Sequence, residues 1–466
     1  MSLYTHCVSR LLFPLHERLK RHDTVQVRRD LEHSQWWSRD RIQTLQVQRL
    51  QTLLHLVSRL TPYYRAWFEQ HSLDPAAVHS LDDLAKLPII DKAIIRAHQR
   101  QWPAENATDL TTMQTSGSSG EPLQFELSRH RISCDIAAKW RATRWWGVDI
   151  GDPEIVVWGS SIEAGTQDRL RTWRDRLLRS RLIPTHDLSE QRLDDILAFM
   201  RRFRPRMLFG YPSALARLAW RAHTQNLVMT DLGLQVAFTT SEVLRPEWRE
   251  VIGAVFGCGV ANEYGARDAG FIARECPAGG LHITAEQIIV EIVDEVGQAL
   301  PPGEEGEILV TNLSGPEFPF IRYRTGDRGI LDPNPCACGR GLPLLKAIAG
   351  RANDGLIAAN GAWIHASAFN HLLRELPGLR AYQIVQETRA QIRLLLSLEG
   401  ELPKEGVERL AQAFRQRLGA AVEIDIERID RIPPEANGKH RHVICRVGES
   451  AGTSVDRAPP PPIASL

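Results

Sequence analysis

Residues 115–120 read Thr115, Ser116, Gly117, Ser118, Ser119 and Gly120, followed by Glu121 and Pro122. Small residues let backbone N–H groups converge on an anion, and the hydroxyls add donors. The same composition also serves as a flexible linker. It is not a Walker A loop, because no Lys-Ser/Thr follows the second glycine. A second group could hold a metal, or stand as separate loop residues with buried thiols. Cys276-x5-His282 and Cys336-x-Cys338 supply three thiols and one imidazole, and Gly279, Gly280 and Gly339 flank them. Cys₃His is a common structural Zn²⁺ set, and a site closed by four protein ligands ties chain segments together rather than activating water. Cys7, Cys134, Cys258 and Cys445 have no comparable partner pattern, and core packing suits them better. Seven cysteines spread over so long a chain do not suggest a disulfide framework.

These residues need a scaffold. Ile42, Leu45, Leu50, Leu53, Leu54, Val57 and Leu60 fall near helical spacing, and Pro62 stops that run. Further on, short apolar runs at Glu154–Trp158, Met207–Phe209, Gln235–Phe238 and Val260–Tyr264 alternate with helical stretches near 167–180, 212–224 and 245–256. That alternation predicts an α/β domain with largely parallel strands. From Glu286 the texture changes, and the Gly-, Asn- and Asp-rich stretch Gly350–Gly361 reads as a boundary. Beyond it, Ile392–Leu398 and Val422–Ile426 read as strands and Glu405–Leu418 as a helix, a small α+β domain. The expected organisation is a large domain over 1–350, a small one over 351–449, and a disordered Pro-rich tail over 450–466.

The composition is that of a soluble globular protein, with 43% hydrophobic and 24% charged residues. Lys+Arg 57 against Asp+Glu 56 gives +1, which argues against a nucleic-acid binder. No apolar run approaches the length of a membrane helix; Val251–Val260 is about half that and is broken by glycines. Near the start, Arg10, Arg18, Lys20 and Arg21 flank the short apolar patch Leu11–Leu15, which is no signal peptide. A cytoplasmic protein without membrane insertion is expected, of open oligomeric state.

Four smaller motifs follow in order. They are Glu263-Tyr264-Gly265-Ala266-Arg267-Asp268, Tyr323-Arg324-Thr325-Gly326-Asp327, Gly350-Arg351-Ala352-Asn353-Asp354 and Asn437-Gly438-Lys439. Singly, each is an ordinary strand end or turn. In this order, and with the loop at 115–120, the chain resembles the adenylate-forming superfamily of acyl-CoA synthetases. Phe209–Leu215, Thr240-Ser241-Glu242 and Pro62–Arg65 make it most similar to the phenylacetate–CoA ligase family, on the branch linked to capsular polysaccharide biosynthesis.

The resemblance implies a large N-terminal domain of mostly parallel sheets flanked by helices, plus a small mobile C-terminal lid. It implies an ATP-dependent ligase that joins a carboxylic acid to AMP and then to coenzyme A. An amine acceptor, giving an amide, is the alternative, and a degenerate nucleotide-binding protein is another. The loop Thr115–Gly120 would close over the ATP phosphates, Tyr264 would stack on adenine, and Glu263, Gly265, Ser241 and Glu242 would lie around it. Asp327 would accept from the ribose hydroxyls, and Arg351 would reach ribose or phosphate. Asp268 stands where the family has a longer glutamate that helps to hold Mg²⁺, so the ion is expected to be held through water. Glu121 sets a carboxylate beside the phosphate loop. Asn353 and Asp354 match the boundary about which the small domain turns. Lys439 would be the catalytic lysine, bridging the acid and the α-phosphate. The Trp- and Arg-rich stretch Lys139–Trp146 falls where such enzymes place acid-pocket residues, and equally suits a helix packing its tryptophans into the core.

Overall fold

The computed structural model describes residues 2–115, 123–158, 169–185, 188–351, 355–359, 363–365, 369, 372–373, 376–400, 403–432 and 441–447. They form two compact units, one within residues 1–349 and one from Gly350 onward. The loop Ser116–Gly120, Glu121, Asn353, Asp354, Lys439 and the tail lie outside the described residues.

The first unit is built on one eleven-stranded sheet. Its strands are β3 (Glu154–Val157), β4 (Ser180–Ile183), β5 (Met207–Gly210), β6 (Val236–Thr240), β7 (Gly259–Ala266), β8 (Gly270–Glu275), β9 (Leu281–Ile283), β10 (Ile288–Val293), β11 (Glu305–Asn312), β12 (Tyr323–Asp332) and β13 (Leu344–Arg351). Their order is β10-β11-β12-β13-β9-β8-β7-β6-β5-β3-β4. A separate antiparallel hairpin pairs β1 (Thr111–Gln114) with β2 (Gln124–Leu127).

The strands expected from the apolar runs appear as β3, β5, β6 and β7, and they are parallel. Helices Pro212–Thr224 and Pro246–Phe256 return the chain between them, each with proline in its first turn, where the missing N–H costs nothing. Trp248, Ile252 and Phe256 recur every four residues and are buried, so the second helix lays one apolar stripe on the sheet. Beyond β7 the sheet turns antiparallel. Only Arg267–Ala269 separate β7 from β8, far too few for a parallel crossover.

Helix Arg39–Leu60 is started by the Ser38 side chain, which accepts from Arg41 N–H, and it buries Ile42, Leu50, Leu53, Leu54 and Val57. Pro62 does end this run. It also opens a second helix, Pro62–Gln70, because a residue that cannot continue one helix is well suited to begin another.

The second unit carries a four-stranded sheet in the order β18-β17-β16-β19, from β16 (Leu379–Thr388), β17 (Gln391–Leu398), β18 (Glu423–Arg428) and β19 (Val443–Cys445). Helix Lys404–Leu418 crosses between the parallel neighbours β17 and β18. Phe414 meets Phe369 at 4.9 Å over buried Ile392 and Leu394. A hairpin of β14 (Gly355–Ile357) and β15 (Trp363–His365) is held by buried Gln386, whose amide donates to Ile357 O and accepts from Ile357 N–H, both at 2.7 Å. A buried amide satisfied on both sides fixes the register at little cost.

Candidate active site

β3 pairs with β4 on one side and β5 on the other, so the direction of strand order reverses beside it. Ligands of open α/β sheets sit outside the carboxyl ends of strands at such a point. Here those ends present Trp158, which stacks on Tyr211 at 4.4 Å and lies 5.7 Å from Phe209. Gly210 lets β5 close on β3, since a Cβ there would stand 2.5 Å from Val157 O.

Next along the same edge is the end of β6. Ser241 has φ +68, a left-handed conformation uncommon for a residue with a Cβ, and it turns the chain sharply off the sheet. The turn aims Glu242 at helix Pro212–Thr224, where its carboxylate accepts from Ser213 N–H at 3.2 Å. A carboxylate suits the positive end of a helix.

β7 brings Glu263, Tyr264 and Gly265 to the same edge. The Tyr264 hydroxyl donates to Asp327 Oδ2 at 2.9 Å and lies 3.3 Å from Thr325 Oγ1. Thr325 in turn donates to Ile308 O and accepts from Asp327 N–H, so it anchors the Asp327 backbone while Tyr264 holds the carboxylate. Burial, and then the Asp327 charge, keep the Tyr264 phenol well above its ordinary pKa. Gly265 is needed for the bulge between β7 and β8: a Cβ would stand 2.6 Å from Gly270 O and 3.2 Å from Phe271 Cα. Both obstacles are backbone. Gly265→Ala is therefore expected to lose about 1–3 kcal/mol of stability, read by thermal or denaturant melts. An unchanged melt would mean that the bulge relaxes freely.

The β7–β8 turn carries Asp268, which is 4% exposed. Its Oδ2 accepts from the Tyr323 hydroxyl at 2.5 Å and lies 3.9 Å from Lys92 Nζ, and its Oδ1 accepts from Ala269 N–H. Buried Arg131 reaches toward Asp268 O at 3.5 Å and pairs with Asp135 at 3.3 Å. On β7, Glu263 is 5% exposed and pairs with Arg274 at 2.7 Å. Burial pushes Glu263 above the usual carboxylate range, against the pull of Arg274 and Lys139. The Lys139 ammonium sits 4.6 Å from the Phe209 ring centroid. Of the tryptophans near it, Trp140 is buried and bonds to Asp149, which is the core-packing role.

Thr115 closes the base of the β1–β2 hairpin, its N–H donating to Leu123 O at 3.0 Å and its hydroxyl accepting from Leu123 N–H at 2.9 Å. Arg267 Nη1 reaches toward Gln114 O at 3.4 Å, which sets the ends of the 116–122 loop beside the Asp268 turn. Arg351 ends β13, and its side chain is outside the description. Lys92, Arg131, Lys139, Tyr323 and Arg274 were not singled out as site residues from sequence. Tyr323 lay inside a quoted motif, and Lys139 opened the Trp- and Arg-rich stretch Lys139–Trp146.

Cys276, His282, Cys336 and Cys338 come together, with one ligand atom from each lying within 4.8 Å of the others. Cys276 Sγ is 3.6 Å from Cys336 Sγ, and Cys338 Sγ is 3.2 Å from His282 Nε2. A zinc tetrahedron with arms of about 2.3 Å has edges of about 3.8 Å, so the donor set fits. Gly280 makes room, since a Cβ there would stand 2.5 Å from Cys336 Sγ. Burial pushes the Cys276 thiol up to about 12 and the His282 imidazole down to about 4. The knuckle joins the β8–β9 hairpin to the β12–β13 connection.

Residues 356–446 match the CapK C-terminal domain family. The phenylacetate-coenzyme A ligase of Thermus thermophilus is 23% identical over 438 residues, covering 87% of this chain and 97% of the relative. Protein CapK of Staphylococcus aureus is 23% identical over 404 residues, covering 86% and 88%. A 2-hydroxyisobutyryl-CoA ligase solved in the postadenylation state shares the fold at TM-score 0.68 and 20% identity, covering 86% of this chain and 88% of that one. Residues 356–446 thus match a CapK C-terminal domain, and the chain as a whole is similar to phenylacetate-coenzyme A ligase and CapK, with the fold of a 2-hydroxyisobutyryl-CoA ligase.

Proposed function

We propose that the protein is an AMP-forming acid–thiol ligase acting in the cytoplasm. The observation that carries this reading is the Tyr264–Asp327 hydrogen bond. It sets an aromatic ring and an acceptor-only carboxylate together at the strand ends, next to Asp268. That pair suits a nucleoside: the ring for adenine, the carboxylate for ribose hydroxyls.

The acid's carboxylate oxygen attacks the α-phosphorus of ATP, forming a P–O bond as the bond to pyrophosphate breaks. The thiol of coenzyme A then attacks the acyl carbon, AMP leaves, and the thiol proton is released. In the first step two anions are pressed together, so positioning and charge neutralisation dominate catalysis. Residues 115–120 would gather the phosphate oxygens, and Lys439 would meet the acid and the α-phosphate. Asp268 fits a Mg²⁺ bound mainly by phosphates, because each of its oxygens keeps a lone pair beyond the bond it already accepts. Mg²⁺ there would neutralise phosphate charge. Zn²⁺ in the Cys₃His knuckle would be structural. The acid would enter past Trp158, Phe209 and Lys139.

The test is acid-dependent pyrophosphate release from ATP and Mg²⁺ across a carboxylic-acid library that includes phenylacetate. Release with at least one acid, with AMP release accelerated by coenzyme A, is expected. Acceleration by amines instead would identify an amide synthetase. ATP binding without pyrophosphate release for any acid would leave a nucleotide-binding protein.

A further inference from the structure

Leu3–Leu19 is one helical stretch with an i→i+5 segment, Val8–Leu12, between two α segments. Thr5, Val8, Phe13 and Glu17 face inward and are buried. Leu3, Leu11, Leu15 and Leu19 face outward, 92%, 66%, 57% and 77% exposed. They fall on a four-residue spacing that exposed Cys7 completes. Such a spacing drifts round a helix of 3.6 residues per turn, and the wider turn at Val8–Leu12 takes up part of the drift. Helix Arg169–Leu177 lies alongside, because the Tyr4 hydroxyl donates to Leu177 O at 2.8 Å and the Arg179 guanidinium sits 4.1 Å from the Tyr4 ring centroid. It adds Trp173 and Leu177, 64% and 51% exposed. Among the described residues, eight of the eleven large exposed hydrophobics belong to these two elements. Scattered singly they would need no explanation; gathered on one face they do.

The charge around this face is one-sided. Residues 3–21 and 173–181 hold eight lysines and arginines against two acids. One acid, Glu17, is buried among His16, His22 and Thr24, and the other, Asp175, pairs with Arg174 at 2.6 Å. Arg10, Arg18, Lys20 and Arg176 remain exposed. The protein as a whole carries only +1, so this density is local. Lys20 and Arg174, one from each element, both act with burial, the largest cause, to hold His16 below its ordinary pKa.

We propose that this face seats the protein on an anionic lipid surface, lying in the interface plane without spanning it. Leucines and Trp173 would enter the headgroup–acyl boundary, with arginines and Lys20 meeting lipid phosphates. A second copy of the chain is the weaker fit, since a two-fold contact through this face would set its own cations against each other. The inference is independent of the proposed chemistry.

The test is flotation of the full chain with vesicles of phosphatidylcholine alone and of phosphatidylcholine mixed equally with phosphatidylglycerol. Binding to the mixed vesicles only is expected, and salt at about 1 M should release it. Leu11→Ser with Leu15→Ser should weaken binding at least about tenfold while leaving the melting temperature unchanged, since both side chains are exposed. Arg10→Gln with Arg18→Gln and Lys20→Gln should do the same and flatten the salt dependence. No binding by the wild type, equal binding to both vesicles, or full binding by the leucine variant would overturn the proposal. Self-association that the leucine variant abolishes, with no vesicle binding, would assign the face to a second copy.

Discussion

Lys439→Ala should fold and bind ATP, yet form acyl-adenylate at least about 10²-fold more slowly. The residue lies in Pro433-Pro434-Glu435-Ala436-Asn437-Gly438-Lys439, a turn sequence near the end of the CapK C-terminal domain. An ammonium is a compact charge with three donors, so it can meet the acid's carboxylate and the α-phosphate at once. Neither partner needs it strongly in the ground state. In the proposed role it would matter most where the two anions meet, and removing an interaction made chiefly in the transition state lowers kcat rather than substrate affinity. Single-turnover acyl-AMP formation from the best acid in the pyrophosphate screen is the measurement. Thioester formation from supplied acyl-AMP should be far less affected, because no phosphate is then under attack. Adenylation at the wild-type rate would remove Lys439 from the mechanism and reopen the reading of the whole C-terminal domain.

The second large effect is on the metal knuckle. Protein purified without chelator should carry about one zinc per chain, and Cys336→Ser should carry almost none. Losing a structural metal is among the few single changes that cost about 4 kcal/mol or more. Cys336 is apt because its sulfur meets Cys276 Sγ at 3.6 Å, while its side chain is only partly buried, so serine adds little packing damage of its own. Cys258→Ser is the control, since that thiol lies outside the cluster. Zinc-free wild-type protein with an undiminished melting temperature would show four side chains gathered for packing alone.

The knuckle was legible in sequence because cysteine and histidine are scarce and the glycines beside them announce tight turns. The parallel strands were legible because apolar runs bounded by helices have few other uses. Tyr264 and Asp327 were each legible as motif members, although they stand 63 positions apart. Their hydrogen bond was not, since no local pattern specifies which strands become neighbours. Arg274 and Arg131 were invisible for a different reason. Arginine and lysine usually face water, and only the assembled sheet shows Arg274 and Arg131 2% exposed beside Glu263 and Asp135. Glu242 marks a further limit. A triplet that suggests a nucleotide neighbour gives no hint that the carboxylate is engaged by a helix N–H.

With Zn²⁺ bound, the knuckle would also change what the unfolded chain can do. A cross-link from Cys276 to Cys338 closes a loop of roughly 60 residues, and in chain-entropy terms such a closure withholds about 4 kcal/mol of freedom from the denatured ensemble. β9, β10, β11 and β12 lie inside that loop, as do the pairings β10–β11 and β11–β12, while β9 pairs with β8 and β13 just beyond its two ends. The antiparallel half of the sheet is then a tethered ring whose strands search for one another over a short distance, whereas the parallel half must wait for its crossover helices. Metal status would set the order in which the two halves assemble as well as the temperature at which they come apart.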